Sequence, residues 1–432
     1  MTDLAHAAEA AVERLANTLA DPQRIAPNIS PLSAAAAVSL DGNTGVALFF
    51  AELARHDRVW LRAVHTHIAA AARTLAKGTP SAGLHLGPAA VLAAVQACAP
   101  LGGHYPRLRR RLVDHVAREQ LRRIGAERAG RAHEHGVSWA SYDAITGLSG
   151  TGRALLTAAT AGGPDERAQA EPALRATLDR LVEISLPVAF HGHRVPGWWV
   201  PGHRQVTETA QAAFPRGDFN LGMAHGITGP LSLLTLCSEH GIIVPGQGDA
   251  LHRIGGWLSD RVRADDAGPY WPGRIAFDDE VGWSRLRPPA GPALPRASWC
   301  YGAPGIATAL WRAGAVTGTP AWQRLALDAV HALPRSPHAA HQQGDDAIVC
   351  HGDAGLLQAM WRLGGLAAEA ELRDRAAEAG VRIVACADAE VPPASAITGI
   401  LQGTAGIAAA LLSLLPAQPT GGPHWDSVLL LS

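Results

Sequence analysis

The feature that most constrains this chain is an internal repeat. A Gly-x-x-Gly step followed by an uncharged apolar run occurs at Gly42-Asn-Thr-Gly45, Gly147-Leu-Ser-Gly150, Gly226-Ile-Thr-Gly229, Gly302-Ala-Pro-Gly305, Gly352-Asp-Ala-Gly355 and Gly403-Thr-Ala-Gly406. A seventh, degraded copy keeps only its second glycine, Gly87, with Leu84 in place of the first. The second glycines are separated by 42, 63, 79, 76, 50 and 51 residues. Repeats of this length specify stacked supersecondary units that bury a shared core.

The run after each step, such as Gly305-Ile-Ala-Thr-Ala-Leu310 or Gly406-Ile-Ala-Ala-Ala-Leu-Leu412, has no polar face. A helix apolar on all sides is a buried helix. Between copies lie one-faced helices. In one of them Leu108, Leu112, Val116, Leu121 and Ile124 are expected inward, opposite a solvated face carrying Arg109, Arg110 and Arg118. Each copy is therefore one outer amphipathic helix and one inner buried helix. Seven such pairs predict an all-α fold: an α/α toroid of seven inner and seven outer helices, forming one domain over 1–432. A linear solenoid is the alternative, but solenoids usually keep a tighter period. Two Pro/Gly- and aromatic-rich stretches, about 186–205 and 268–283, read as hairpins. They predict a small β-rich insertion on one rim.

Composition removes other classes. A net charge of −1 leaves no electrostatic footprint for nucleic acid. No apolar run is long enough for a membrane span. The first residues lack the basic and apolar regions of a signal peptide, so the expected location is cytoplasmic. Lys77 is the only lysine and is not preceded by a Gly-rich loop, which excludes a P-loop. Five widely spaced cysteines do not make a disulfide framework. Cys98, Cys237 and Cys386 stand in apolar helical text and are expected in the core.

The other two cysteines share a register. Counting back two residues from the first glycine of each copy gives Leu40, Ile145, Ala224, Cys300, Cys350 and Leu401. One residue back stand Asp41, Thr146, His225, Tyr301, His351 and Gln402. Equivalent positions of neighbouring copies lie side by side in a ring, so Cys300, Cys350 and His351 should converge. Two thiolates and an imidazole form a good zinc set. Three protein ligands leave a fourth position open, as in catalytic sites.

Trp299-Cys300-Tyr301-Gly302, Cys350-His351-Gly352, Gly222-Met-Ala-His225-Gly226 and Tyr142-Asp143-Ala-Ile-Thr-Gly147 resemble the lanthionine synthetase C family, the lantibiotic cyclases. The resemblance runs from the first repeat to the last. It implies an α/α toroid with one zinc held by Cys300, Cys350 and His351, and it implies functional roles for His225, Asp143 and Arg296. The implied activity is thioether ring closure, in which a peptide Cys thiolate adds to dehydroalanine or dehydrobutyrine. His225 would then be the acid or the base, and Arg296 would stabilise the enolate oxygen. Whether His225 or Asp143 is the proton donor stays open.

The implied substrate is a dehydrated lanthipeptide precursor. A dehydratase and a transporter complex are the implied partners, with a peripheral place at the membrane through that complex. The sequence carries no attached dehydratase or kinase region, which points to the stand-alone type. Two alternatives remain at this point. One is a homologue that binds glutathione at zinc or serves as a peptide scaffold. The other is an unrelated toroid, a prenyltransferase or a glycosidase, for which Asp345-Asp346 is the only tempting acidic pair.

Overall fold

The computed structural model describes residues 2–22, 37–78, 83–130, 136–283, 297–333, 347–389, 398–416 and 421–432. These residues fall into two compact units, Met1–Val116 with Thr157–Arg167 and Gln343–Ser432, and Ala117–Leu156 with Ala168–Gln342.

The helices are α1 (Thr2–Leu19), α2 (Asn43–Leu53), α3 (Leu61–Leu75), α4 (Pro88–Ala97), α5 (Pro106–Gly130), α6 (Leu148–Ala161), α7 (Pro164–Ser185), α8 (Glu208–Ala213), α9 (Thr228–Glu239), α10 (Gln247–Asp260), α11 (Phe277–Val281), α12 (Ala303–Thr317), α13 (Pro320–Ala332), α14 (Asp353–Ala367), α15 (Ala370–Ala389) and α16 (Thr404–Leu412). Seven of them, α2, α4, α6, α9, α12, α14 and α16, begin at or next to the repeated glycine step. Their apolar character shows directly: all ten residues of α4 are buried. By contrast, α3 buries Ala63, Val64, His67, Ile68 and Ala71, a single stripe at helical spacing.

At Gly45, Gly305 and Gly406 the second glycine of the step is required for a close approach. A Cβ on Gly45 would stand 1.8 Å from the Leu40 carbonyl oxygen, inside any tolerable contact. The turn therefore folds back onto its own helix only where no side chain intervenes.

In the first unit, α1 packs on α15 and α16, α2 packs on α3, α4 and α16, and α14 packs on α15 and α16. Its C-terminal 3-10 turn, Trp425–Leu429, is buried and carries an internal ion pair. Asp426 accepts from Arg362 Nη2 at 2.7 Å and from Gln358 Nε2 at 2.7 Å. The Arg362 charge and these donors hold its carboxyl far below the usual carboxylate range despite burial.

The same unit holds a buried histidine. His67 Nε2 lies 3.0 Å from the Leu19 carbonyl, Nδ1 lies 3.0 Å from the Asn43 amide, and the ring stacks on Phe50. Burial pushes its pKa down from 6.5 to about 4. The folded state thus takes up this proton later than the unfolded chain does. Its contribution is complete above pH 6.5 and is lost as pH falls toward 4, by up to roughly 3 kcal/mol. His67→Gln is expected to flatten the acid limb of denaturant stability between pH 7 and 4.5. An unchanged acid limb in that variant would remove the assignment.

In the second unit, α9 packs on α10 and α12, and α12 on α13. The strands are here too. β1 (Val188–Phe190) pairs antiparallel with β2 (His193–Val195), and β4 (Arg263–Asp265) with β5 (Gly268–Tyr270). β3 (Asp218–Asn220) pairs with β6 (Arg274–Ala276), placing Asn220 opposite Arg274. The strands occupy the two expected segments and also 218–220 and 263–265, where Asp-Phe-Asn and Arg-Ala-Asp carry no strand signal.

Two expectations are corrected. Leu121 is exposed, at 42%. The inward face of α5 runs instead through Val113, Val116, Ala117, Gln120 and Ile124. Gln120 takes the inward place because its amide has partners there, donating to the Leu148 carbonyl at 3.1 Å and to Thr177 Oγ1 at 2.9 Å. Cys386 is exposed on α15, whereas Cys98 and Cys237 are buried, with burial pushing both thiols up to about 12. The arginine run at 107–111 is mostly solvated. Arg109 differs, reaching Glu166 with Nε at 2.8 and 3.0 Å.

Candidate functional site

The glycine steps do more than start helices. Backbone hydrogen bonds join one step to another, at or within one residue of the expected register in all but the degraded second copy. In the second unit Ala144 N donates to Ala224 O at 3.0 Å, and Ala224 N to Cys300 O at 3.4 Å. In the first unit Leu40 N donates to His85 O at 3.0 Å, Ile400 N to Leu40 O at 2.7 Å, and Cys350 N to Leu401 O at 2.8 Å. Two of these bonds, Ala224 to Cys300 and Cys350 to Leu401, join residues that both stand two before a first glycine, and they use main-chain atoms alone.

Cys300, Cys350 and His351 form a group that could hold a metal ion. One ligand atom from each lies within 4.8 Å of the others. A tetrahedral ion with bonds of about 2.0–2.3 Å spaces its ligand atoms about 3.3–3.8 Å apart. The donor set, two soft sulfurs and an imidazole, suits a zinc-type ion and not a hard oxygen-seeking one. Cys300 is buried and Cys350 half-buried. Ser298 Oγ lies 3.6 Å from Cys300 Sγ and also donates to the Tyr301 carbonyl at 2.7 Å, bracing the Cys300 turn.

His225, one residue before its first glycine, is half-buried. Its Nδ1 lies 2.6 Å from Asp143 Oδ2. Asp143 is fully buried and its other oxygen is taken, accepting from Thr146 N at 2.7 Å and Gly147 N at 2.5 Å. The carboxylate therefore caps the turn before α6 and holds the imidazole at the same time. A carboxylate at Nδ1 fixes the proton on that nitrogen and leaves Nε2 as the atom that can exchange one. Trp139 stacks on the imidazole, with centroids 5.0 Å apart and planes 23° apart. Arg274 reaches the Trp139 ring from β6, its guanidinium carbon 5.3 Å from the centroid.

Two tyrosines stand on the same turns. Tyr142 is fully buried, and its phenol is held well above its ordinary pKa by burial. Tyr301 accepts from Asn220 Nδ2 at 2.9 Å, and burial pushes its phenol up to about 12. Both are neutral hydroxyls at physiological pH, so neither is a base.

The three proposed ligands come together, as do His225 and Asp143. Arg296 and Asp345-Asp346 lie outside the described residues. The Asp143–His225 pair and the Trp139 stack carry no linear signal, since 82 residues separate the paired groups. Only the shared register of the two turns places them near each other.

Residues 39–430 match the family model for lanthionine synthetase C-like protein. The chain belongs to this family. Among solved structures it is similar to nisin cyclase, with a TM-score of 0.74, 20% identity and 92% of each chain covered. That likeness gives this lanthionine synthetase C-like chain the mostly helical α/α-toroid fold expected from its repeats. No curated protein sequence matches it. No described helix is long and apolar enough to cross a membrane.

Proposed function

We propose that the chain is a zinc-dependent lanthipeptide cyclase that closes thioether rings in a dehydrated precursor peptide. The observation that carries this reading is the convergence of Cys300, Cys350 and His351, in a chain of this family whose fold is that of nisin cyclase. A zinc ion held there would supply Lewis-acid chemistry, favouring the thiolate of a peptide Cys whose free pKa is about 8.5.

The chain's own groups handle the protons. The new S–C bond forms at the β-carbon of dehydroalanine or dehydrobutyrine, the π electrons move toward the carbonyl oxygen, and the α-carbon must gain a proton. His225 Nε2 is assigned both ends of that transfer, taking up the proton that the peptide thiol gives up and returning it to the α-carbon, since Asp143 holds Nδ1 and is itself closed off from solvent. Asp143 orients the ring and fixes its tautomer. Arg296 is assigned the enolate oxygen through its match to the family alone. A dehydratase must act first, because Ser and Thr residues offer no acceptor alkene. A transporter complex is the remaining proposed partner.

The test uses a dehydrated precursor peptide. Ring closure leaves its mass unchanged and consumes thiols, so an alkylating reagent should add fewer mass tags after incubation with the protein. Elemental analysis should find about one zinc per chain. An undiminished tag count on the cognate peptide, together with glutathione bound at zinc, would replace this reading with that of a thiol-binding homologue.

A further inference from the structure

The turn that carries both contacts to His225 is itself held from outside. Trp139, which stacks on the imidazole, and Asp143, which bonds its Nδ1, lie on one stretch between Trp139 and Gly147. Arg123 reaches this stretch from α5. Its Nη2 donates to the Ala140 carbonyl at 2.8 Å and to the Thr146 carbonyl at 2.9 Å. One nitrogen thereby spans the stretch on either side of Asp143.

The choice of partners is informative. Glu119 and Glu127 stand four residues before and after Arg123 on the same helix, the spacing at which helical ion pairs form. Those carboxylates attract Arg123 through space but hydrogen-bond other arginines, Glu119 accepting from Arg122 at 2.7 Å and Glu127 from Arg180 at 3.2 Å. Arg123 instead turns inward, half-buried, to neutral carbonyls of an irregular turn. Other bonds already stabilise the turn itself, including those from Thr146 N and Gly147 N to Asp143. What Arg123 adds is a tie between that turn and a 25-residue helix.

We propose that Arg123 is a positioning residue for His225, pinning the Trp139–Gly147 turn so that the indole face and the Asp143 carboxylate meet the imidazole together. The proposal deepens the cyclase reading and rests on it for its kinetic consequence. Its structural consequence stands apart from that reading. Arg123 does not touch the substrate in this account. Both hydrogen bonds come from the two protons of one planar nitrogen, whose directions the guanidinium fixes, and an ammonium on a flexible stem reproduces them only in part.

The experiment compares Arg123→Met, Arg123→Lys and His225→Ala in the full chain. Arg123→Met is expected to retain zinc and to lower kcat for ring closure about 10- to 100-fold, the usual effect of losing a supporting shell, with KM unchanged. Arg123→Lys should recover part of the rate, and it carries the test if the Met variant does not fold. In a His225→Ala background the Arg123 substitution should cost nothing further, because the group it positions is gone. The Nδ1 proton of His225, bonded to a carboxylate, is observable by NMR downfield of the amides. That signal should be lost or broadened in Arg123→Met. An unaltered Nδ1 signal, or an equal rate loss with and without His225, would overturn the proposal. If His225→Ala proved fully active, the cyclase assignment of His225 would fall, while the Nδ1 signal would still decide whether Arg123 sets its position.

Discussion

Cys300→Ala and Cys350→Ala are each expected to release zinc while the chain stays folded. Removing one thiolate from a three-ligand set leaves two donors, too few to retain the ion against a chelator. The turns themselves do not depend on the metal. Ala224 N still bonds Cys300 O, and Cys350 N still bonds Leu401 O, because both contacts use the main chain. Far-UV dichroism should therefore be unchanged, and zinc content should fall from about one per chain to near zero. Ring closure should fall with it. A thiol of pKa about 8.5 is only a few per cent thiolate at pH 7, so losing thiolate stabilisation alone costs about 30-fold. Loss of positioning adds to that. Full zinc occupancy in both variants, measured by elemental analysis, would remove these residues from the site.

His225→Ala should show the opposite pattern, with zinc retained and catalysis lost. A general acid or base contributes about 10²- to 10⁴-fold, and the tag assay should slow by that much. Asp143→Asn should slow it comparably for a different reason. An asparagine can keep accepting from Thr146 N and Gly147 N, but its amide would present a donor toward His225 Nδ1. The imidazole would then have to carry its proton on Nε2, the wrong tautomer for taking one up there. Loss of zinc in His225→Ala, with Cys300 and Cys350 intact, would show that His225 belongs to the metal set and not to proton transfer.

Much of this architecture can be read from the chain because its periodic signal is steric. A glycine whose Cβ would stand 1.8 Å from a carbonyl oxygen cannot be replaced without moving the backbone, so the step marks each inner helix even where spacing drifts. Cys300, Cys350 and His351 follow from the same register. What the sequence leaves hidden depends on side-chain partners supplied by distant segments. Gln120 displaces Leu121 from the inward face because a carbonyl and a hydroxyl await it. Phe219 lies in a strand because Ile275 stands opposite, 56 residues on. Asp143 accepts from two amides of its own turn before α6 begins, but its second oxygen acquires a role toward His225 only when the step carrying His225 is brought against its own.

The register has a consequence for how such a protein can be altered. Asp41, Thr146, His225, Tyr301, His351 and Gln402 are chemically unlike, yet each stands at the same point before a glycine step. At several of these steps the neighbouring residue is fastened through main-chain atoms. Mounting and chemistry are separate properties where the main chain alone does the fastening, whereas the Asp41 carboxylate itself holds Leu401 N and Gln402 N. A new donor, acid or aromatic group can be seated at Gln402 by changing one side chain, whereas the Thr146 hydroxyl is already committed to Asp143.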